Sequence, residues 1–230
     1  MNEQDKLVEI KNAIVDKACL KQDVYALTKS CFHELGEVLS SSVKELQAFV
    51  HPKDKRVNIE FKKISEFEFQ LTIGGDTLIF YMHTNVFTFP NTHIIHKNTY
   101  VQKDRSRAYC GVINVYNFLT DSFKYNRMND SGYLVARVFV NKDKHYFVEG
   151  KQKLGFLFND FANAELVKSE WEKIMAVGVD YILNFDLFTP PYQTVKEISI
   201  NDIQQLNQSM KMKTAKRLGF KFQSDQDVTF

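Results

Sequence analysis

Glycine is scarce, nine in 230 residues, and no Gly-x-Ser-x-Gly, Walker or Gly-x-Gly-x-x-Gly run is present. The chain therefore offers no glycine-rich loop to cradle a nucleotide phosphate and no nucleophile elbow. Cysteine is scarcer still. Cys19, Cys31 and Cys110 are scattered and lack Cys-x-x-Cys spacing, which argues against a disulfide framework and a thiolate zinc site and suits a reducing compartment. A surplus of one charge is also missing: 30 Lys and Arg face 28 Asp and Glu for a formal net charge of +2, so the protein is not polybasic. No stretch approaches the roughly 18 uninterrupted apolar residues of a membrane span, and the N-terminal residues show no apolar signal core. The expectation is a cytoplasmic protein with no membrane partner.

What is abundant is core material. With 44% hydrophobic and 13% aromatic residues, a chain of this length buries a sizeable core without disulfides or metal. Residues 1–50 read as a helical arm. Leu7, Ile10, Ile14 and Ala18 recur at three- and four-residue intervals, and after a break near residues 20–23 the stripe resumes at Val24, Leu27, Cys31, Leu35, Val38 and Leu46. Such a stripe covers a sheet of its own chain or pairs with a second helix. "HPKDK" at 51–55 closes the helical zone with a turn signal.

From Val57 the apolar period changes to two. "VNIEFKKI", "EFEFQLTI", "TLIFYMHT" and "VFTF" are rich in β-branched and aromatic residues, and "GGD" at 74–76 has the chemistry of a tight hairpin turn. Phe67, Phe69, Leu71 and Ile73 share one face, with Glu66, Glu68, Gln70 and Thr72 on the other, so helices are expected to cover one side of the sheet. Residues 90–109 break the pattern and form a long loop suited to a site. Strands resume at "CGVINVYNFL", "YLVARVFV" and "HYFVEG", the last two joined by a turn at "NKDK". Helices follow over about 162–184 and from Ser199 or Asn201 as a cap toward Gly219. The fold class is α+β: a helical arm, a central antiparallel sheet of about six to eight strands over residues 51–230, and two C-terminal helices packed on it, all as one globular unit.

Three constellations carry possible chemistry. In "HYFVEGKQKLG" (145–155), His145, Phe147, Glu149 and Lys151 share a strand face, so Glu149 and Lys151 are neighbours. If the last two strands form a hairpin, Asp130 at the start of the first approaches Glu149 at the end of the second. Asp130, Glu149 and Lys151 resemble the motif of the PD-(D/E)xK nucleases. The resemblance implies that Asp130 and Glu149 hold Mg²⁺ while Lys151 positions the attacking water. Asn129 stands where that motif has Pro, and "KLGFLF" follows Lys151 where the motif opens into a helix with a Gln. Without a metal partner, Glu149 and Lys151 are a solvated strand face with a weak surface ion pair.

His93 and His96, with His83 nearby, have a spacing found in some zinc sites, although no Glu accompanies them and Cys110 is the one thiolate candidate. Cys110 follows a cationic loop that would activate a thiol, whereas burial at the start of a strand would make it inert.

The third constellation is for binding. Arg105, Arg107, Tyr109, Tyr116 and Arg127, with Tyr100, Lys124 and Tyr125, make a Tyr/Arg-rich region suited to an anionic ligand or a protein surface. Lys213, Lys216 and Arg217 add a cationic end to the last helix, which suits phosphate backbones or simply the helix dipole. The expected function is an intracellular binding or interaction module, a subunit of a homo- or hetero-oligomeric assembly, with no cofactor. A protein partner or self-association is expected. The alternatives are a Mg²⁺-dependent nuclease and a nucleic-acid-binding accessory protein.

Overall fold

A computed structural model describes residues 3–189 and 191–209, with side chains described from residue 4 through residue 204. The chain opens with α1 (Glu3–Ala13), passes through a π-helical segment (Ile14–Cys19) and continues as α2 (Leu20–Val50). The break expected near residues 20–23 is thus a widened turn just upstream. No Gly or Pro lies there to interrupt the backbone, so the helix absorbs the change of phase and continues.

Six strands follow: β1 (Ile59–Lys63), β2 (Glu68–Ile73), β3 (Asp76–Met82), β4 (Cys110–Leu119), β5 (Tyr133–Asn141) and β6 (Tyr146–Gly150). They form one antiparallel meander in chain order. The β2–β3 hairpin turns on Gly74 and Gly75, with Ile73 opposite Asp76 and Gly74 at φ +61°, a left-handed conformation that glycine adopts without steric cost. The β5–β6 turn is held by Asn141, whose side-chain oxygen accepts from the backbone N–H groups of Asp143 and His145. A register shift between Val115 and Tyr116 of β4 marks a bulge against β5.

Short helices α3 (Thr99–Lys103) and α4 (Thr120–Lys124) flank β4, and α5 (Lys153–Leu157) follows β6. Then come α6 (Lys168–Leu183), α7 (Tyr192–Val195) and α8 (Ile200–Ser209). Ser199 caps α8: its hydroxyl accepts from the Asp202 N–H at 3.0 Å and donates to the Asp202 carboxylate at 2.7 Å. The side chains of residues 200–204 are exposed. Among the described residues no helix is long and apolar enough to cross a membrane.

The main core lies between one sheet face and α2 with α6. Cys31, Phe32, Leu35, Val38 and Leu39 of α2 meet Phe69, Leu71, Leu78, Phe80, Ile113 and Val138, and α6 adds Trp171, Ile174 and Ile182. Phe32 stacks on Phe69 with centroids 4.2 Å apart and rings 2° from parallel. Burying side chains of this size stabilises the fold by roughly 1.5–3 kcal/mol each. The opposite face, read from sequence as solvent-facing, carries a second cluster. Ile95, Val101, Ala108, Cys110, Val112, Phe139 and Phe161 are buried there with Phe89, Tyr100 and Phe147 beside them. The segment after β3 folds back over the β4–β6 side and supplies much of this cover.

Candidate binding cleft and helical arm

Where β3 ends, the chain turns away at His83 and returns as Phe87, which pairs with Cys110 through two backbone hydrogen bonds of 2.8 Å. That bridge pins an aromatic run against the sheet. Phe89 packs 5.2 Å from Phe139 and 5.8 Å from Phe147, His93 stacks on Phe89 at 4.6 Å, and His83 meets the edge of Phe87 at 4.7 Å. Between this run and strands β4 to β6 lies an open cleft of about 470 Å³, lined by His83, Phe87, Phe89, His93, Asn114, Arg137, Phe139 and Glu149 among others. Arg137 lies over the Phe139 ring, 5.5 Å from its centroid, and donates from Nη2 to Glu149 at 2.5 Å. Both imidazoles spend Nδ1 as an acceptor: His83 takes the Asn85 N–H at 3.0 Å and His93 takes the Ile95 N–H at 3.2 Å.

The nuclease constellation is not assembled. Glu149 pairs across the sheet with Arg137, and the Lys151 N–H bonds to the Val135 carbonyl. Continuing that register, the position opposite Asp130 would be residue 156, beyond the end of β6. Tyr133 to Arg137 alone spans about 13 Å of extended strand, and Asp130 lies before Tyr133. The Asp130 carboxylate is buried where it accepts from Ser122 Oγ at 2.7 Å and faces the Arg127 guanidinium at 3.5 Å. The two carboxylates thus belong to separate neighbourhoods, and one Mg²⁺ with oxygen ligands near 2.1 Å could not join them. The segment after Lys151 also differs from the expectation, since α5 opens at Lys153.

His93 and His96 have separate partners. His96 Nε2 lies 3.2 Å from the Phe89 carbonyl, whereas the His93 Nδ1 lone pair is used within its own turn. Among the described residues no group of three or more His, Cys, Asp or Glu side chains is placed to hold a metal. Cys110 is fully buried, and that burial pushes its thiol pKa up rather than activating it.

The Tyr/Arg-rich region turns out to be spent on internal contacts at several of its positions. Arg107 donates to Asp143 at 2.8 Å and to the Tyr100 carbonyl at 2.9 Å, with its guanidinium 4.1 Å from the Tyr100 ring centroid. Tyr100 in turn donates to Asp143 at 2.6 Å and accepts from Asn141 at 2.9 Å, and its hydroxyl pKa is pushed up to about 12 by burial, with the Asp143 bond adding to the effect. The Arg127 side chain is 9% exposed and packed with Asp121 and Asp130. Arg105 remains exposed on the adjoining turn, Tyr109 is half-buried with Lys21 6.0 Å from its ring, and Tyr116 is half-buried on the outer sheet face. Lys213, Lys216 and Arg217 lie outside the described residues.

The arm is the other exposed feature. Every described side chain from residue 4 through residue 19 is exposed, including Leu7 at 52%, Ile10 at 48% and Ile14 at 56%. Burial begins only at Val24. The stripe read from the sequence therefore divides in two: its second half covers the sheet, and its first half covers nothing within the described chain.

Residue-by-residue reading of the sequence missed Arg137, Asn114 and Phe139 as cleft residues, because alternation alone marks them only as outer-face positions of a sheet. No family model matches the chain, and comparisons with curated proteins and with solved structures give no match.

Proposed function

We propose that this chain is an intracellular binding module that acts as a subunit of an assembly, with the N-terminal arm as its docking element and a second copy of the chain as its partner. The observation that carries this reading is the arm itself: Leu7, Ile10 and Ile14 recur at i, i+3 and i+7 on a helix whose described side chains are all exposed. Solvating such a stripe forgoes the favourable burial that a second helix would supply.

The arm's charge pattern favours a like partner. Asp5 and Glu9 with Lys6 give its outer half an acidic excess, while Lys11, Lys17 and Lys21 with Asp16 make the inner half basic. Two arms packed antiparallel set each acidic end against a basic end, as a closed two-fold pairing requires. Three free cysteines, two of them buried and unpaired, support the reducing, intracellular setting.

The test is the solution mass by light scattering on the full chain, alongside the triple variant Leu7→Ser, Ile10→Ser, Ile14→Ser. A wild-type mass of twice the 26.8 kDa chain that falls to one chain in the variant is the expected result. A wild type that stays monomeric at about 100 μM, above the dissociation constants of most stable dimers, overturns the proposal.

A further inference from the structure

The cleft beneath residues 83–93 offers more hydrogen-bond donors than acceptors, and an aromatic surface lies below them. Because His83 and His93 each use Nδ1 to accept a backbone N–H, each neutral ring carries its proton on Nε2, so the uncommitted nitrogen is a donor. Asn114 adds an amide. Arg137 adds a guanidinium of which Glu149 engages only Nη2, and its Nε–H is buried without an acceptor among the described residues. Among the described residues Glu149 is the sole carboxylate lining the cleft, and Arg137 already engages it.

The floor is apolar, closed by Phe139, which is 5% exposed. Phe139 stacks on Phe147 at 4.7 Å and 15°, with Phe87 and Phe89 as walls. A volume of about 470 Å³ falls in the range of small-molecule sites, which combine such a lining with a few convergent polar groups.

From this juxtaposition of Arg137, His83, His93 and Asn114 around the Phe139 floor, we propose that the cleft binds a small monocarboxylate with a flat, apolar body. The flat body slots between the exposed Phe87 and the half-buried Phe89, above Phe139. The carboxylate faces Arg137, whose planar fork suits two parallel N–H to oxygen bonds once the partly exposed side chain rotates to present Nε with Nη. One cation, shared with Glu149, matches a single negative charge better than a phosphate, which draws on several cations or a nest of backbone N–H groups. This inference does not rest on the arm and would survive a monomeric wild type.

The experiment is calorimetric titration of the full chain with benzoate, and in parallel with acetate, benzamide and inorganic phosphate. Saturable benzoate binding is expected at up to about 10 mM, the scale for so small a ligand, with acetate and benzamide at least about tenfold weaker. Arg137→Gln is expected to weaken benzoate by about tenfold or more. His83→Phe retains the ring edge against Phe87 but removes the Nε2 donor, and is expected to weaken benzoate several-fold. Both variants are checked by circular dichroism, and Arg56→Gln, on an exposed turn outside the cleft, serves as the unchanged control. No saturation by benzoate, equal binding of acetate or benzamide, a preference for phosphate, or unchanged affinity in folded Arg137→Gln would each overturn the proposal.

Discussion

Gly111 of β4 lies directly against Thr28 of α2: a Cβ added at Gly111 would stand 2.1 Å from Thr28 Oγ1 and 2.7 Å from its Cβ and Cγ2. The threonine cannot retreat easily, because it is fully buried and its hydroxyl donates to the Val24 carbonyl at 2.7 Å. This contact sets how closely the long helix approaches the sheet. Gly111→Ala is therefore expected to destabilise the protein by about 1–3 kcal/mol through overpacking, read as a lowered urea midpoint with an unchanged slope. Thr28→Ala removes Oγ1 and Cγ2 but not Cβ, so the double variant should recover part of the loss. Simple additivity of the two single costs would show that the contact is not what constrains the site.

Asp104 gives the fold a predictable acid limb. Its carboxylate accepts from Lys142 at 2.5 Å and from the Ser106 N–H and hydroxyl at 2.9 and 2.5 Å. The Lys142 bond foremost, then the Ser106 hydroxyl, hold its pKa at about 2 against an ordinary 3.8. Asp143 is lowered too, since its bonds from Tyr100 and Arg107 outweigh the opposing effect of burial. A depressed folded pKa means the stabilisation is fully present above the ordinary value and is lost as pH falls through the folded one. The stability difference between wild type and Asp104→Asn should thus be largest near about pH 6 and shrink steadily from about pH 4 to pH 2. A difference that stays constant across that range would show that the ion pair contributes nothing.

Much of the fold is legible in the chain because local chemistry determines it. The glycines at 74 and 75 demand a hairpin, Asn141 builds its own turn, Ser199 caps a helix, and the Phe69, Leu71, Ile73 alternation marks the face that α2 covers. What cannot be read locally is register and long-range return. The turn at Asn141–His145 places Glu149 opposite Arg137, and moving that turn by one residue would turn Glu149 to the other face. A strand pattern alone thus made Glu149 a neighbour of Lys151 and left Asp130 free to approach it. Likewise nothing between Thr84 and Ser106 announces that Phe89 will cross back to meet Phe139 and Phe147. The histidines were visible as a cluster, but their backbone partners, which decide which nitrogen is free, depend on that return.

Thiol chemistry separates the three cysteines. Cys19 is exposed on the π-helical segment, whereas Cys31 and Cys110 are fully buried. Burial raises both buried thiols, Cys31 to about 12 even though Lys144 pulls it the other way. Iodoacetamide at about pH 8 should therefore add one group per folded chain, at Cys19, and add the other two only once the core opens. Mass spectrometry of peptides after a short pulse reads this directly. Modification of Cys110 at a rate close to that of Cys19 would show that the strip from Phe87 to Ala108 lifts off the sheet.

Trp171, the only tryptophan, sits at the centre of the α6 contact with no exposed surface, and its indole N–H has no hydrogen-bond acceptor among the described residues. Two opposing terms then act on Trp171→Phe. Loss of ring volume costs packing, but removing a buried, unsatisfied donor returns part of a penalty of about 1–3 kcal/mol. The neighbouring Ile174, also buried, has no such offset, and its truncation to Ala should cost about 2–5 kcal/mol. The expected ranking in urea unfolding is that Trp171→Phe destabilises less than Ile174→Ala despite the larger native side chain. The reverse ranking would indicate that a buried water or a shift of α6 satisfies the indole in solution, so that the aromatic volume alone sets the stability of this contact.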